Sequence, residues 1–484
     1  MIKQDKYDVV IAGSGLGGLL TGLFLSKVGY HVLVLEKNHQ IGGCLQTFVR
    51  NGKIYDTGMH YIGSMAKGQI LNKLFTYAGI FDQLELKRLD MDCFDKIIYK
   101  GNEYDYAQGF DNFSEKMHSY FPDNKADIEK YIKGIHDIVD YIDLFNLRPF
   151  STSSYINDPN ALMPIADQLN NITSNKLLQN VLSGMNGLYA GIPEVTPYYI
   201  HALINNFYIN SAWRIYDGGA QIASLIQQKI IENGGEVVTK KEVVKFVSNN
   251  DEIDHVLLSD NSKIFGKYFI SNIHPAKTLS MVEGSSLRKA YINRIKNLEN
   301  TIGMFIVYAD LKENTFPYLN YNVYYFNSDD VWGTRAYESK KWPDGFMMYT
   351  PLRNKQGKSA SNAIIITYMK YSELSKWENT WIEKRGDDYL EFKKNKAEKL
   401  INQVNSVYPG FAKSVQKYYT STPLSYRDYT GTQNGSCYGI LKDSSNLTKT
   451  IIHPKTKIKN LLFTGQNINI HGILGVSLGA VLTS

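Results

Sequence analysis

Cysteine is scarce in this chain: three residues in 484, Cys44, Cys93 and Cys437, with no CxxC pair. That excludes a disulfide framework and a cysteine zinc site, and it suits a reducing compartment. Metal-binding spacing is missing too. None of the ten histidines forms HxxxH or HExxH, so no metal site is expected. Charge of one sign is also lacking. The 53 Lys+Arg against 47 Asp+Glu leave a net +6, too mild to argue for nucleic acid, though an acidic membrane surface would tolerate it. Hydrophobic residues at 43% and charged residues at 21% exclude a disordered chain. The length allows about two to four domains. Tyrosine, by contrast, is abundant at 35. Large flat pockets would explain that, and so would an AT-rich genome.

One long apolar stretch exists, Val9 to Leu35, preceded by Lys3 and Lys6. It contains six glycines and no small-residue cleavage pattern, so it reads as neither a signal peptide nor a membrane span. It splits instead into a strand over 7–12, a tight turn over 13–18, a helix over 16–28 and a second strand over 31–36. This is a βαβ unit. The turn, Gly13-Ser14-Gly15-Leu16-Gly17-Gly18, matches GxGxxG in the required context, after a strand and opening a helix. Gly13 permits the turn, Gly15 lets a diphosphate approach the backbone, and Gly18 lets helix and strand pack closely. Glu36, at the tip of the second strand, suits the two ribose hydroxyls and repels a 2′-phosphate, which disfavours NADP there. Gly42-Gly43, followed by Cys44, extends the surface beyond what a plain NAD site needs.

The run "EKNHQIGGCLQTF…YDTGMHYIG", from Glu36-Lys37 onward, resembles the N-terminal part of the FAD-dependent phytoene desaturase, carotenoid isomerase and retinol saturase family, within the amine-oxidase-like flavoproteins. Two further pieces support the resemblance. At the C-terminus, Phe463-Thr464-Gly465-Gln466-Asn467 ends a strand, and 471–484 reads as a final helix that in the family commonly runs on. The resemblance sets that helix N-terminus against the flavin, with Gly475 and Val476 as candidate backbone donors. In mid-chain, a helix over 221–232 and short strands up to Ser271 resemble the second FAD segment, with Val243 against the adenine. The family often carries Asp near 466 or 467, where this chain has neutral amides. It departs from the amine oxidases at Cys44, where they commonly place an Arg.

The resemblance therefore implies an α/β fold: a Rossmann-like FAD-binding domain (GR2-type flavoprotein) built from 1–75, 211–290 and 416–484, plus an α+β substrate domain from 76–210 and 291–415. It implies non-covalent FAD held by Gly13, Ser14, Gly15, Leu16, Gly17, Gly18, Glu36, Lys37, Gly42, Gly43, Cys44, Val243, Gly465, Gln466, Gly475 and Val476. No second GxGxxG follows, so an external reductant or oxidant (NAD(P)H, a quinone or O2) would lack a Rossmann domain of its own. Hydride transfer at flavin N5 would desaturate, saturate or isomerise a long apolar polyene or isoprenoid. No catalytic dyad is legible, and His60 and Tyr438 are the substrate-side candidates. Tyr-rich and Phe-rich stretches over 186–208 and 317–326 line the channel or fill the core. The alternatives are an amine or amino-acid oxidase and a non-catalytic lipid-binding protein resembling the Rab GDP-dissociation inhibitors. An apolar substrate and mild positive charge suggest peripheral membrane contact from a cytoplasmic location. Oligomeric state is left open.

Overall fold

Two sheets organise the computed structural model, which describes Ile2 and residues 6–149, 158–285, 287–353 and 357–484. The first has eight strands, in the order Glu236–Val238, Val32–Leu35, Lys6–Ala12, Lys263–Ser271, Glu252–Leu258, Val243–Asn250 and Val282–Ser285. Leu461–Phe463 adds a further parallel pairing to Lys263–Ser271. The central strands are parallel and covered on both faces, which is why Val32–Leu35 is apolar at every position and almost fully buried. Helices Leu16–Lys27 and Gly472–Thr483 lie side by side against this sheet. Gly22 makes close packing feasible: a Cβ there would stand 3.2 Å from Val34 and 3.3 Å from Ile11.

The second sheet has seven strands, in the order Val415–Ser421, Gly303–Leu311, Asn362–Met369, Gly345–Tyr349, Asn322–Phe326, Asp95–Tyr99 and Asn102–Tyr106. Its pairings are antiparallel except for Asn322–Phe326 beside Asp95–Tyr99. Every residue of Gly303–Leu311 and of Asn362–Met369 is buried, so this sheet is also covered on both faces. Helices Lys125–Tyr141 and Tyr198–Asn210 pack on each other beside it. A three-stranded sheet of Ile62–Gly63, Ala212–Ile215 and Leu86–Arg88 joins the two regions.

Val415–Ser421 pairs with Gly303–Leu311 and so belongs to the second sheet, although sequence reading drew a boundary at 416. The hairpin of Thr47–Arg50 and Lys53–Asp56 leans the same way. Phe48 meets Tyr308 edge-on at 4.9 Å, and Lys53 is paired with Asp310. Among the described residues, no helix is long and apolar enough to cross a membrane, and no group of His, Cys, Asp and Glu is placed to hold a metal ion.

Candidate functional site

The site is built where strands of the first sheet end. Lys6–Ala12 runs into Gly13, whose φ of +98° only glycine adopts without strain. Gly15 then caps helix Leu16–Lys27 with extended backbone and no side-chain partner for the helix. The first N–H groups of the helix therefore lack intrahelical acceptors and present a positive end. The Gly42-Gly43 turn lies alongside. Gly42 N–H donates to Ser14 O at 3.0 Å, and a Cβ on Gly43 would reach within 3.1 Å of Gly15 Cα. Two side-chain-free turns thus form one wall of a cavity of about 270 Å³.

Glu36 lines that cavity and is 6% exposed. Its Oε2 accepts from Ser14 N–H at 3.0 Å and Ser14 Oγ–H at 2.6 Å, and its Oε1 accepts from Asn38 N–H at 2.9 Å. Ser14 itself is fully buried and outside the cavity lining. Although the sequence places it among the cofactor residues, its side chain orients Glu36. Gly18 also sits beneath the wall: a Cβ there would strike Gly13 O at 2.1 Å. Leu16, Gly17, Lys37, Cys44 and Val243 all line the cavity.

Residues without a sequence signal complete this end. Asn272, just after the Lys263–Ser271 strand, lies beneath the Gly13–Gly18 turn and against Gly465. Its N–H donates to Ala12 O at 2.9 Å. Its side chain would clash with a Cβ at Gly15, Gly17 or Gly465. Lys241, paired with Asp260, and Lys277 line the same cavity as Lys37, alongside the carboxylates of Glu36 and Glu242. Burial and then the neighbouring Lys277 lower the Lys37 pKa.

At the other end, Gly465, Gln466 and Asn467 line the cavity, followed by Gly472 and Ile473 at the start of the last helix. Here the expected donors need correction. Gly475 is the helix's fourth residue and lies outside the lining, where a Cβ would meet Ile470 O at 2.5 Å. Val476 lines the cavity, but at the fifth position its N–H belongs to the helix's own i→i−4 ladder. The free N–H groups are at Gly472 and Ile473, one turn earlier.

Cys44 faces the cavity with its thiol pushed up to about 11 by burial, and is therefore protonated near neutrality. Tyr438 donates to Gly187 O at 3.0 Å and lies against His471, ring centroids 4.4 Å apart. His60 is held down to about 4 by burial and then by the Arg214 charge, and so is neutral. It lines both the large cavity and a second, mostly apolar pocket of about 50 Å³, as do Leu188 and Met304. Tyr324, Phe326, Phe346, Met347, Ile366 and Tyr368 are among the walls of that pocket. Parts of both aromatic stretches thus do face open space: Asn186, Gly187, Leu188 and Tyr208 from the first, Tyr324, Tyr325 and Phe326 from the second.

Fold and site together define a protein with a Rossmann-like dinucleotide-binding region joined to an apolar pocket. Residues 11–78 match the NAD(P)-binding Rossmann-like domain family. Over 99% of its length the chain is 25% identical to all-trans-retinol 13,14-reductase of Danio rerio, covering 85% of that protein. It is 24% identical to a 4,4'-diapophytoene desaturase of Methylomonas over 70% of this chain and 68% of that one. Among solved structures, an oxidoreductase from Methanosarcina mazei superposes with a TM-score of 0.65 at 16% identity, covering 98% of this chain and 99% of that one, a likeness of fold. The chain is thus similar along most of its length to proteins named as retinol reductases and a carotenoid desaturase, and to a prolycopene isomerase of Daucus carota at 21% identity over 90% of this chain and 72% of that one.

Proposed function

We propose that this protein binds FAD non-covalently and uses it to move a hydride to or from a carbon–carbon bond of a long apolar polyene. One observation carries the reading: the dinucleotide cavity and the apolar pocket meet at His60, Leu188 and Met304. A pocket of about 50 Å³ holds only a segment of such a chain, so the substrate would run through the junction and meet there whatever part of the cofactor reaches it. The two glycine turns pack against each other too closely for side chains and so present bare backbone to the cavity, which fits a diphosphate. The Gly13–Gly18 turn and the Leu16 and Gly17 N–H groups would hold it, Glu36 the ribose, and Gly472 and Ile473 the electron-rich edge of the ring. When bound, the flavin supplies two-electron chemistry; the chain binds, orients and excludes water.

The pocket lining includes no carboxylate, so it offers no counter-charge to a substrate ammonium. That argues against an amine oxidase even though putrescine oxidase shares the fold, with a TM-score of 0.65 at 14% identity. Electrons would enter or leave through an external donor or acceptor such as NAD(P)H, a quinone or O2, since the sequence carries no second GxGxxG turn. The test is to purify the protein, identify the cofactor, and mix reduced or oxidised holoprotein anaerobically with polyenes of graded saturation. Flavin absorbance that changes stoichiometrically with a polyene, and not with amines, is expected. A colourless protein that binds no added FAD would overturn the proposal.

A further inference from the structure

A buried hydrogen-bonded chain reaches the junction of the two cavities from behind. Asp95 is fully buried at the start of the Asp95–Tyr99 strand. Its Oδ2 accepts from the Tyr61 hydroxyl at 2.7 Å, and that hydroxyl lies 3.2 Å from the Tyr324 hydroxyl. Tyr61 lines the dinucleotide cavity and Tyr324 the apolar pocket. On its far side, Asp95 Oδ1 accepts from Asn322 Nδ2 at 2.7 Å, and Asn322 Oδ1 accepts from Arg214 at 2.8 Å. Arg214 is 1% exposed and otherwise held by backbone carbonyls and by the Tyr318 side chain, and through Asn322 its charge favours ionisation of Asp95. At the cavity end, the hydroxyls of Tyr208 and Tyr368 act electrostatically on that of Tyr324. The Tyr368 hydroxyl is buried and has no hydrogen-bond partner. Leaving a buried hydroxyl unmet is unfavourable, and a ligand or water would relieve it.

We propose that Asp95, Tyr61 and Tyr324 form a proton relay for the carbon–carbon chemistry, with Tyr324 as the group that exchanges a proton with substrate carbon. The inference rests on the reading above. In reduction of a C=C bond, one carbon takes the hydride that a reduced flavin supplies, and the other takes a proton. That C–H bond forms as the Tyr324 O–H bond breaks. The Tyr61 proton passes to Tyr324, the Asp95 proton passes to Tyr61, and the carboxylate left behind faces Arg214 through Asn322. Desaturation runs the relay backwards. Tyr324 and Tyr61 touch the cavities and are catalytic residues in this scheme; Asp95 acts through Tyr61.

Several groups face Asp95. Tyr61, Tyr208 and Tyr324 lie on the cavity side, Tyr106 is its cross-strand neighbour, Cys93 precedes it in the chain, and Arg214 is the nearby cation. Burial pushes the Asp95 carboxyl up to about 7, against the lowering pull of Asn322, Tyr61 and Arg214. The group is thus able both to give and to take a proton near neutrality.

Two measurements test the relay. Infrared titration of cofactor-free protein from about pH 5 to about pH 9 should show a protonated carboxyl band that disappears near neutrality, shifts in D2O, moves in Tyr61→Phe and is absent in Asp95→Asn. In single turnover of the holoenzyme, the polyene step should have a pH limb near 7 in the wild type. Asp95→Asn should lose the limb, and Tyr61→Phe and Tyr324→Phe should slow the step by about 100-fold. FAD stoichiometry in each variant certifies folding. A carboxyl ionised throughout the range, or a limb that survives in Asp95→Asn, would overturn the relay. Failure of the wild type to act on any polyene would instead sink the reading of the activity, while the infrared arm still reads the carboxyl.

Discussion

Asp95→Asn should change how stability depends on pH, in a direction the structure fixes. Burial raises the Asp95 carboxyl from its ordinary 3.8 to about 7. Between those values the folded protein retains a proton that the unfolded chain has released, so raising the pH favours unfolding. The protonated form's contribution is complete below about pH 4 and lost as pH climbs through 7. At about 1.4 kcal/mol per tenfold change in proton affinity, the full cost of ionising Asp95 is about 4 kcal/mol. Roughly 2–3 kcal/mol of it falls between pH 5 and pH 8. Asparagine keeps the shape and cannot ionise. Its carbonyl still accepts from Asn322, and its amide can donate to Tyr61 once that hydroxyl turns to Tyr324. Urea unfolding of cofactor-free wild type and variant at both pH values reads the difference directly, and every other titrating group cancels between them. The variant should gain about 2–3 kcal/mol on the wild type over that interval. A gap constant to within about 0.5 kcal/mol would refute the reasoning and place Asp95 in ionised partnership with Arg214 at all pH values.

The glycine turn makes a sharper steric forecast. Gly18→Ala drives a Cβ against the Gly13 carbonyl at 2.1 Å, a backbone atom with nowhere to go, and should cost about 3 kcal/mol or more by urea unfolding and abolish FAD binding. Gly15→Ala meets the Asn272 amide at 2.8 Å, a side-chain end that can turn away. It should unfold within about 1 kcal/mol of wild type yet titrate FAD at least tenfold more weakly; equal stability losses in the two variants would contradict the assignment. The Cys44 thiol, pushed up to about 11, should resist iodoacetamide at pH 7.5 in the cofactor-free protein, and acid precipitation of the holoprotein should leave all flavin in the supernatant. Flavin retained in the pellet would point to a covalent link.

The dinucleotide half was legible because its physics is local. A strand, a glycine turn and a helix occupy consecutive residues, so spacing alone reports the shape, and Glu36 falls where the second strand must end. The helix start near 472 shows the limit. The segment was recognisable, but the donors were placed one turn late, because which N–H groups stay free depends on where the helix begins. The relay left no comparable trace. Asp95 and Tyr324 sit on neighbouring strands paired in parallel, more than 200 residues apart in sequence, and Tyr61 comes from a loop leading into a two-residue strand. Nothing in the spacing of Asp95 separates it from a solvent-facing strand residue; only the packing of Tyr61, Tyr208, Asn322 and Arg214, distant in sequence, turns it into a buried acid. Coverage of the second sheet on both faces hid the pocket. Gly303–Leu311 and Asn362–Met369 are buried throughout, so neither alternates, and without alternation the sequence does not reveal which residues face open space. Sites of this architecture are therefore readable at the end where backbone binds the cofactor. They are opaque where side chains from distant strands meet the substrate, and it is there that members sharing one fold have room to differ in chemistry.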